Sequence, residues 1–461
     1  MTDDLIELLQ LLDSRQYRYG LLERYYQGAS PLSFLSPSAK LALRNFDQLS
    51  SNLCRTAVVS LAERLRPSGV DGSDAWGLFE YSNLDQLAAQ VHKDALLYGV
   101  GFVLCWTDSR GKPRATVESP REVCVFRDPV TRDVTKAVKR VRTAKTTEAW
   151  VYYPDRVEHW SAKTPSAGNA GYELVETVPH DLGRVPVHAI GHEDEASVID
   201  DLLTIQDAIN KLLLDMMVAS EYAGRPRRFA TGIELVQTPV VDDQGAAVTD
   251  PVTGEPVTVA TNPFPDENEM MTSENPESRF GAIPSADLKQ FESGIRVLIS
   301  QAMMVSGLPA HYVGLLQDSV TSADALRAAE AALVARAEAR QRQYGVGWES
   351  VAQSLVSIRD GVDADGVTAR IKWSPADTRS EAQSADATVK LHAAGIVSRT
   401  TALKRLGFAD DEIERELELL LDDEFISVKA HDAQRAAALG FASDNGVRVK
   451  DQKLNPALIP S

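Results

Sequence analysis

The chain of 461 residues is poor in cysteine, holding only Cys54, Cys105 and Cys124. Their spacings of 51 and 19 residues match neither a zinc ligand pattern nor a disulfide framework, so all three are expected as reduced core residues. Long apolar runs are also missing. The best, residues 212–218, is broken by Asp215 and falls far short of the roughly 18 residues needed to span a bilayer. Positive charge is the third shortage, since 48 Lys and Arg against 66 Asp and Glu leave a formal charge of −18. Affinity for phosphate comes from Lys and Arg displacing counterions, so a generic nucleic-acid binder is excluded and any contact with DNA is local or weak. The first residues, Met1-Thr-Asp-Asp, are acidic where a secretory signal is basic. A cytoplasmic protein without a membrane contact is expected.

Catalytic motifs are equally scarce. No G-x-x-x-x-G-K-[ST] occurs, so nucleotide hydrolysis through a P-loop is not expected. No G-x-S-x-G elbow marks a nucleophilic serine. "YGVG" at residues 98–101 is too short for a dinucleotide site. "DPVTGEP" and "DDQG" have the acids and glycine of a calcium loop but neither its alternation nor its closing Glu, and they read as turns. His180, His188 and His192 cluster ahead of Glu193 and Asp194. Metal ligation wants two ligands on one helix face, as in H-E-x-x-H, whereas "HAIGHED" sits at the end of a strand. Solvated or packing histidines are the simpler reading; a metal-dependent hydrolase using His188 and His192 is the enzymatic alternative. No cofactor is implied.

What is present is an ordinary globular composition, 44% hydrophobic and 25% charged, in a length that suits two to four domains. Helical spacing runs through residues 1–66, with Leu5, Ile6, Leu9 and Leu12 as a first stripe, "LLERYYQG" ending on a glycine, and a helix over 38–65. Another helix, 83–98, closes at Gly99. Short runs rich in Val, Phe and Trp then alternate with turn signals at 108–111 and 128–132, which predicts antiparallel strands through "GRVPVHAI" at 183–190. The first 195 residues thus read as an α+β domain. Helical spacing returns with Ile199, Leu202, Ile205, Ile209, Leu212 and Met216. A module with seven prolines between Pro239 and Pro284 follows, and "VDDQGAAVTDPVTGEPVTV" within it predicts a small β element. A second helix carries Leu288, Phe291, Ile295, Leu298, Ile299 and Met303. Late in the chain come a strand, "ARIKWSP", and helices capped by Ser398 and Asp410 and closed by Gly395 and Gly407; residues 440–461 lack periodicity.

"TSADALRAAEAALVARAEARQRQYG", residues 321–345, predicts one helix of roughly 37 Å. Thr321 is its expected cap, and Gly345 with Gly347 is expected to stop or kink it before Trp348, Val351, Leu355 and Ile358 resume the spacing. Nine of the 25 residues are alanine. The apolar seam of Leu326, Ala329, Leu333, Ala337 and Tyr344 is narrow, while Arg327, Arg336, Arg340 and Arg342 are expected to face outward with Glu330 and Glu338 between them. So thin a seam suits close packing with neighbours, copies of the same chain included. A further basic cluster, Arg225, Arg227 and Arg228, stands where a helix ends; it suits capping of the helix dipole or contact with an acidic or nucleic-acid partner.

Taken in order, "LLERYYQG", "DALLYGVGFVLCWTDSRGKPRATVESPREVCVFRDP", "LGRVPVHAI", "EYAGRPRRFATG", "MVSGLPAHYVG", the alanine-rich helix with "VGWE", and "DTRSEAQSADATVKLHAAGIVSRTTALKRLG" resemble the portal proteins of tailed bacteriophages, the branch similar to that of phage SPP1. They cover residues 15–410. The resemblance implies a multi-domain α+β portal fold: a wing over 1–195, a first stem helix over 196–222, a clip over 223–285, a second stem helix over 286–305, a tunnel-loop region over 306–320, a long kinked helix with a return strand over 321–375, a helical crown over 376–430 and a tail over 431–461. It also implies a non-enzymatic ring of twelve copies at one capsid vertex, in the virion and assembled in the host cytoplasm. Through that ring double-stranded DNA is packaged and ejected. Implied partners are the terminase large subunit, adaptor or head-completion proteins, and the major capsid and scaffold proteins. Candidates for the channel are Pro309, His311, Tyr312, Gln317, Asp318 and Ser319, for the clip Arg225, Arg227 and Arg228, and for contacts between subunits Arg327, Arg336, Arg340 and Arg342. Another non-enzymatic phage connector or adaptor is the alternative. An acidic lumen would repel phosphates and keep a duplex centred.

Overall fold

A computed structural model describes residues 2–29, 51–192, 196–224, 228–232, 237–241, 245–251, 253–260, 276–282, 287–314, 322–377, 381–408 and 412–420. Two compact units divide the chain, residues 1–377 and 378–461.

In the first unit, helix α1 (Asp3–Gln27) ends at Gly28 in the left-handed conformation. It is followed by α2 (Leu53–Ala62), strand β1 (Pro67–Asp71), α3 (Trp76–Tyr81) and α4 (Leu84–Tyr98). Gly99, at φ 94, closes α4 as its sequence predicts. Eight strands follow: β2 (Val100–Thr107), β3 (Pro113–Glu118), β4 (Val123–Arg127), β5 (Val134–Arg142), β6 (Thr147–Tyr152), β7 (Arg156–Ala162), β8 (Tyr172–Pro179) and β9 (Val187–Gly191). They form two antiparallel sheets, ordered β3-β2-β9 and β4-β5-β6-β7-β8. Alternation puts two apolar faces on the larger sheet. On one side Cys124, Val138, Val151 and Trp160 meet Leu5, Leu8, Leu9 and Leu12 of α1; Leu8 joins the buried stripe, and Ile6 is only half-buried. On the other side Val125, Ala137, Tyr152 and Val157 meet Phe102 and Val187 of the smaller sheet. Lys136 pins α1 across the sheet, with Nζ at 2.7 Å from Asp4 and 2.6 Å from Glu7.

A turn of 3-10 helix leads into α5 (Leu203–Gly224), and α6 (Leu288–Ser306) packs against it. Between them lie four short strands, β10 (Arg228–Thr231), β11 (Gln237–Pro239), β12 (Thr258–Ala260) and β13 (Arg279–Ala282), paired β10 with β13 and β11 with β12. Each pair is antiparallel. Then α7 (Ala323–Asp360) runs for 38 residues and β14 (Arg370–Trp373) returns to pair with β1.

Two expectations about α7 change. Its cap is Ser322, whose side chain accepts from the N–H of Ala325; Thr321 lies outside the described residues. Gly345 and Gly347 do not stop the helix, which is hydrogen-bonded straight through them. They let it lie on its neighbours: a Cβ at Gly347 would stand 2.6 Å from the carbonyl oxygen of Ala189 in β9, and one at Gly345 would stand 3.2 Å from the Ile371 side chain of β14. The second half of α7 thereby becomes the centre of the largest core, where Tyr344, Trp348, Val351 and Leu355 are fully buried with Val91, Leu97 and Ile190.

In the second unit, α8 (Glu381–Ala393) and α9 (Arg399–Arg405) are joined through Gly395 in the left-handed conformation, and Ser398 accepts from the N–H of Thr401 to cap α9. Residues 412–420 are helical. The expected cap Asp410 and the stretch 440–461 lie outside the described residues, as do residues 38–50 of the helix expected over 38–65.

Candidate functional site

The junction of α6 with α7 gathers most of the described sequence candidates. Gly307, at φ 73, ends α6, and the chain turns through Pro309 into a 3-10 turn over Ala310–Val313. Pro309 is buried, and His311 and Tyr312 are half-buried. Both side chains turn toward one buried ion pair. Arg64, at the end of α2, donates to Glu330 of α7 at 3.1 Å, with the two side chains 9% and 12% exposed. The same guanidinium reaches the Tyr312 hydroxyl at 3.0 Å, and Nε2 of His311 stands 3.2 Å from the other Glu330 oxygen. Gln341, about three turns further along α7, donates to the carbonyls of Arg64 and Ser374. A buried charge is tolerable only when paired and hydrogen-bonded, and here one carboxylate is shared by a guanidinium and an imidazole.

Glu330 therefore does not face outward as expected. Its neighbours divide. Arg336 is exposed, but its Nη1 donates to the carbonyl of Val305 at 2.8 Å, satisfying one of the open carbonyls at the end of α6. Arg340 donates to Gln343 at 2.8 Å and lies 6.0 Å from the Tyr344 ring. Arg327 is half-buried. Arg342 is exposed and, with Glu338, Glu349 and Arg370, lines a polar groove between α7 and β14. Of the seam residues, Leu333, Ala337 and Tyr344 are fully buried, whereas Ala329 is exposed. Gln317, Asp318, Ser319, Arg225 and Arg227 lie outside the described residues, and Arg228 opens β10.

A second feature escaped the sequence reading. On α6 the residues Ser293, Val297, Ser300 and Met304 follow one another at spacings of 4, 3 and 4, the a/d rhythm of a helix that packs on another helix. That stripe faces away from the core: Val297 is 58% and Met304 75% exposed, along a shallow groove shared with Arg296 and Gln301. Met217 and Val218 of α5 are exposed as well. The heptad spacing was readable, but the inward stripe of Leu298 and Ile299 masked it.

His188 sits on β9 with its ring buried, and burial pushes its pKa down to about 3. Among the described residues no group of three or more His, Cys, Asp or Glu side chains is placed to hold a metal ion; Glu193 and Asp194 are outside them. Among the described residues His92 is the other buried imidazole. Its Nε2 accepts from the Trp348 indole N–H at 2.8 Å, its ring stacks on Tyr344, and burial holds its pKa near 3. The three cysteines are free and buried, with the Cys54 thiol pushed up to about 12 by burial. No helix among the described residues is long and apolar enough to cross a membrane.

Residues 67–424 match the family model described as phage portal protein, SPP1 Gp6-like. The chain is similar to the portal protein of Mycobacterium phage L5, 26% identical over 393 residues that cover 78% of this chain and 76% of the relative. It is similarly related to the portal protein of Mycobacterium phage D29, 26% identical over 394 residues with the same coverage. Among solved structures it is similar to a chain from the neck of a native gene transfer agent particle computed with C12 symmetry, at a TM-score of 0.43 and 13% identity, covering 82% of this chain and 95% of that one. A chain from the neck of the empty particle, computed with C6 symmetry, gives a TM-score of 0.41 and 12% identity over 81% and 95%.

Proposed function

The chain belongs to the phage portal proteins of the SPP1 Gp6-like family, and from that membership we propose that twelve copies close into a ring at one capsid vertex, around a channel that passes double-stranded DNA during packaging and ejection. The observation that carries the ring is the outward heptad stripe of α6. A stripe with Val297 and Met304 at its a-type positions and Ser293 and Ser300 at its d-type positions is apolar and thin, so another helix approaches it closely. The exposed Met217 and Val218 of α5 offer a different surface. Contact between two unlike surfaces is head-to-tail, and a head-to-tail contact that closes generates a ring instead of a two-fold pair.

In this reading residues 1–195 are the wing, α5 and α6 the stem, the paired strands β10–β13 the clip, residues 306–320 the tunnel-loop region, and the unit beyond residue 377 the crown and tail. The Arg64, Glu330 and His311 cluster anchors the base of the tunnel-loop region to α7. The clip, with Arg228 and its neighbours Arg225 and Arg227, meets the terminase large subunit first and head-completion proteins later. Major capsid and scaffold proteins surround the wing. The protein acts in the virion and assembles in the host cytoplasm, with no catalytic step of its own and no cofactor. Its charge of −18 per copy suits a channel that repels phosphates instead of gripping them.

Arg336 and Arg340 are engaged within their own chain, and Arg342 is the arginine of the long helix best placed to cross to a neighbouring copy. Native mass spectrometry of the purified chain tests the ring. A mass of twelve chains supports it, and monomers at every concentration sink it.

A further inference from the structure

Between α5 and α6 the chain builds a ribbon of only two strands. β10 and β13 pair Arg228 with Ala282, Phe229 with Gly281, Ala230 with Phe280 and Thr231 with Arg279. The end beyond Thr231 is held locally. Gly232 turns the chain at φ 74, where a Cβ would stand 3.0 Å from the carbonyl oxygen of Glu277, and the Ser278 hydroxyl donates to the Gly232 carbonyl at 3.0 Å.

The register puts one aromatic ring on each face. Successive residues of a strand point to opposite faces and directly paired residues to the same one, so Phe229 shares a face with Gly281 and Phe280 lies on the other. The Phe229 ring reaches across its partner, since a Cβ at Gly281 would stand 2.6 Å from the Phe229 Cζ. Neither ring is closed over: Phe229 is 45% and Phe280 40% exposed. A pair of strands alone is marginal in water and gains stability when an apolar face is covered by a further layer. Here both faces call for one.

That requirement separates the possible occupants. A single partner protein seated on one side covers one face and leaves the other ring in water. A two-fold pair of copies does the same, because it brings like faces together. A ring places a copy on each side of every ribbon, and its contact joins two unlike surfaces, as the Phe229 face and the Phe280 face are. Edge-to-edge pairing of ribbons would lengthen the sheet but leave both rings uncovered. The ribbon also continues the stem, since β10 begins four residues after α5 ends at Gly224 and β13 ends six residues before α6 begins at Leu288. Copies that touch along α6 therefore bring their ribbons within reach of each other.

We infer that the ribbons of successive copies stack face to face, Phe229 of one copy against Phe280 of the next. The stacking rests on the ring reading and carries its contact from the stem into the clip.

The test uses full-length chains with one introduced cysteine each, Phe229→Cys or Phe280→Cys, co-expressed and treated with a short bismaleimide cross-linker; the three native cysteines are buried. Covalent dimers are expected from the mixture and none from either variant alone. Dimers from one variant alone would mean that like faces meet, which overturns the stacking. In sedimentation velocity Phe229→Ser should raise the chain concentration at which rings half-dissociate about tenfold, the scale of covering half a phenyl ring, and Phe280→Ser should do the same. The double variant should lose little more than either, because both substitutions remove one contact; circular dichroism verifies folding. Mixed rings without dimers, rings that tolerate both serines, or a double variant whose loss is the product of the single losses overturn the stacking and leave the ring intact. A wild-type chain that stays monomeric overturns the ring reading, and the stacking falls with it.

Discussion

Arg64 and Glu330, 266 positions apart, form a 3.1 Å ion pair that is almost fully buried. It ties the end of α2 to the first half of α7, and His311 and Tyr312 close around it. Truncating one partner leaves a buried charge without compensation. Glu330→Ala is expected to cost about 3–5 kcal/mol in urea denaturation, whereas Arg64→Met with Glu330→Leu should recover most of that loss. A loss from the single variant below about 1 kcal/mol would show that water reaches the pair.

Gly347 and Gly77 make a paired test of helix glycines. Alanine is the better helix former by about 1 kcal/mol, and Gly77→Ala in α3, where a Cβ meets nothing within 4 Å, should gain part of that. Gly347→Ala places its Cβ 2.6 Å from the Ala189 carbonyl and should instead cost about 1–3 kcal/mol. Thermal melts of the two variants should move in opposite directions.

Buried ionisable groups give stability a pH dependence of known sign. His92 and His188 titrate near 3 in the folded chain against 6.5 when unfolded. Their contribution is complete above pH 6.5 and lost as pH falls from 6.5 toward 3, because the unfolded chain takes up protons that the folded chain refuses. Asp94 has the opposite sign. Burial raises its carboxyl to about 6, so its contribution is present below 3.8 and lost as pH rises through 6. Asp94→Asn should therefore stabilise the chain at pH 8 relative to wild type and lose that advantage at pH 4. Urea midpoints across pH 4–8 measure both, and a midpoint for the variant that tracks wild type at every pH would remove Asp94 from the account.

The long-helix arginines should separate by phenotype. Arg336→Ala removes a donor from the Val305 carbonyl and should cost about 1 kcal/mol of chain stability. Arg342→Glu should leave the melting of the isolated chain within about 0.5 kcal/mol and weaken the ring. Sedimentation velocity alongside thermal melts distinguishes them, and identical behaviour would contradict the division.

What the sequence made legible was whatever depends on neighbours in the chain. Gly99, Gly395 and Gly407 were readable as helix ends because a left-handed residue is demanded within one turn. The order of helices and strands followed from the period of the apolar residues. What stayed hidden depended on distant partners. Gly345 and Gly347 carry the local signature of a break, and only the backbone of β9 and the side chain of Ile371 show them as close-approach sites. Glu330 reads as a surface acid until Arg64 is beside it. The row from Val125 to Val178 is set by four strand registers that no single segment encodes.

Long-range charge should give the proposed ring a salt dependence. Each copy carries −18, so contacts of opposite sign across the boundary work against a general repulsion that added salt screens within about 8–10 Å. The midpoint of ring dissociation should shift between low and high salt, and a midpoint that does not move would mean that charge plays no part at the boundary.

The most direct measurement is native mass spectrometry of the purified wild-type chain, paired with negative-stain images of the same sample. A species of twelve chains with an axial hole is the expected result. Monomers or two-fold dimers at all concentrations would contradict the ring.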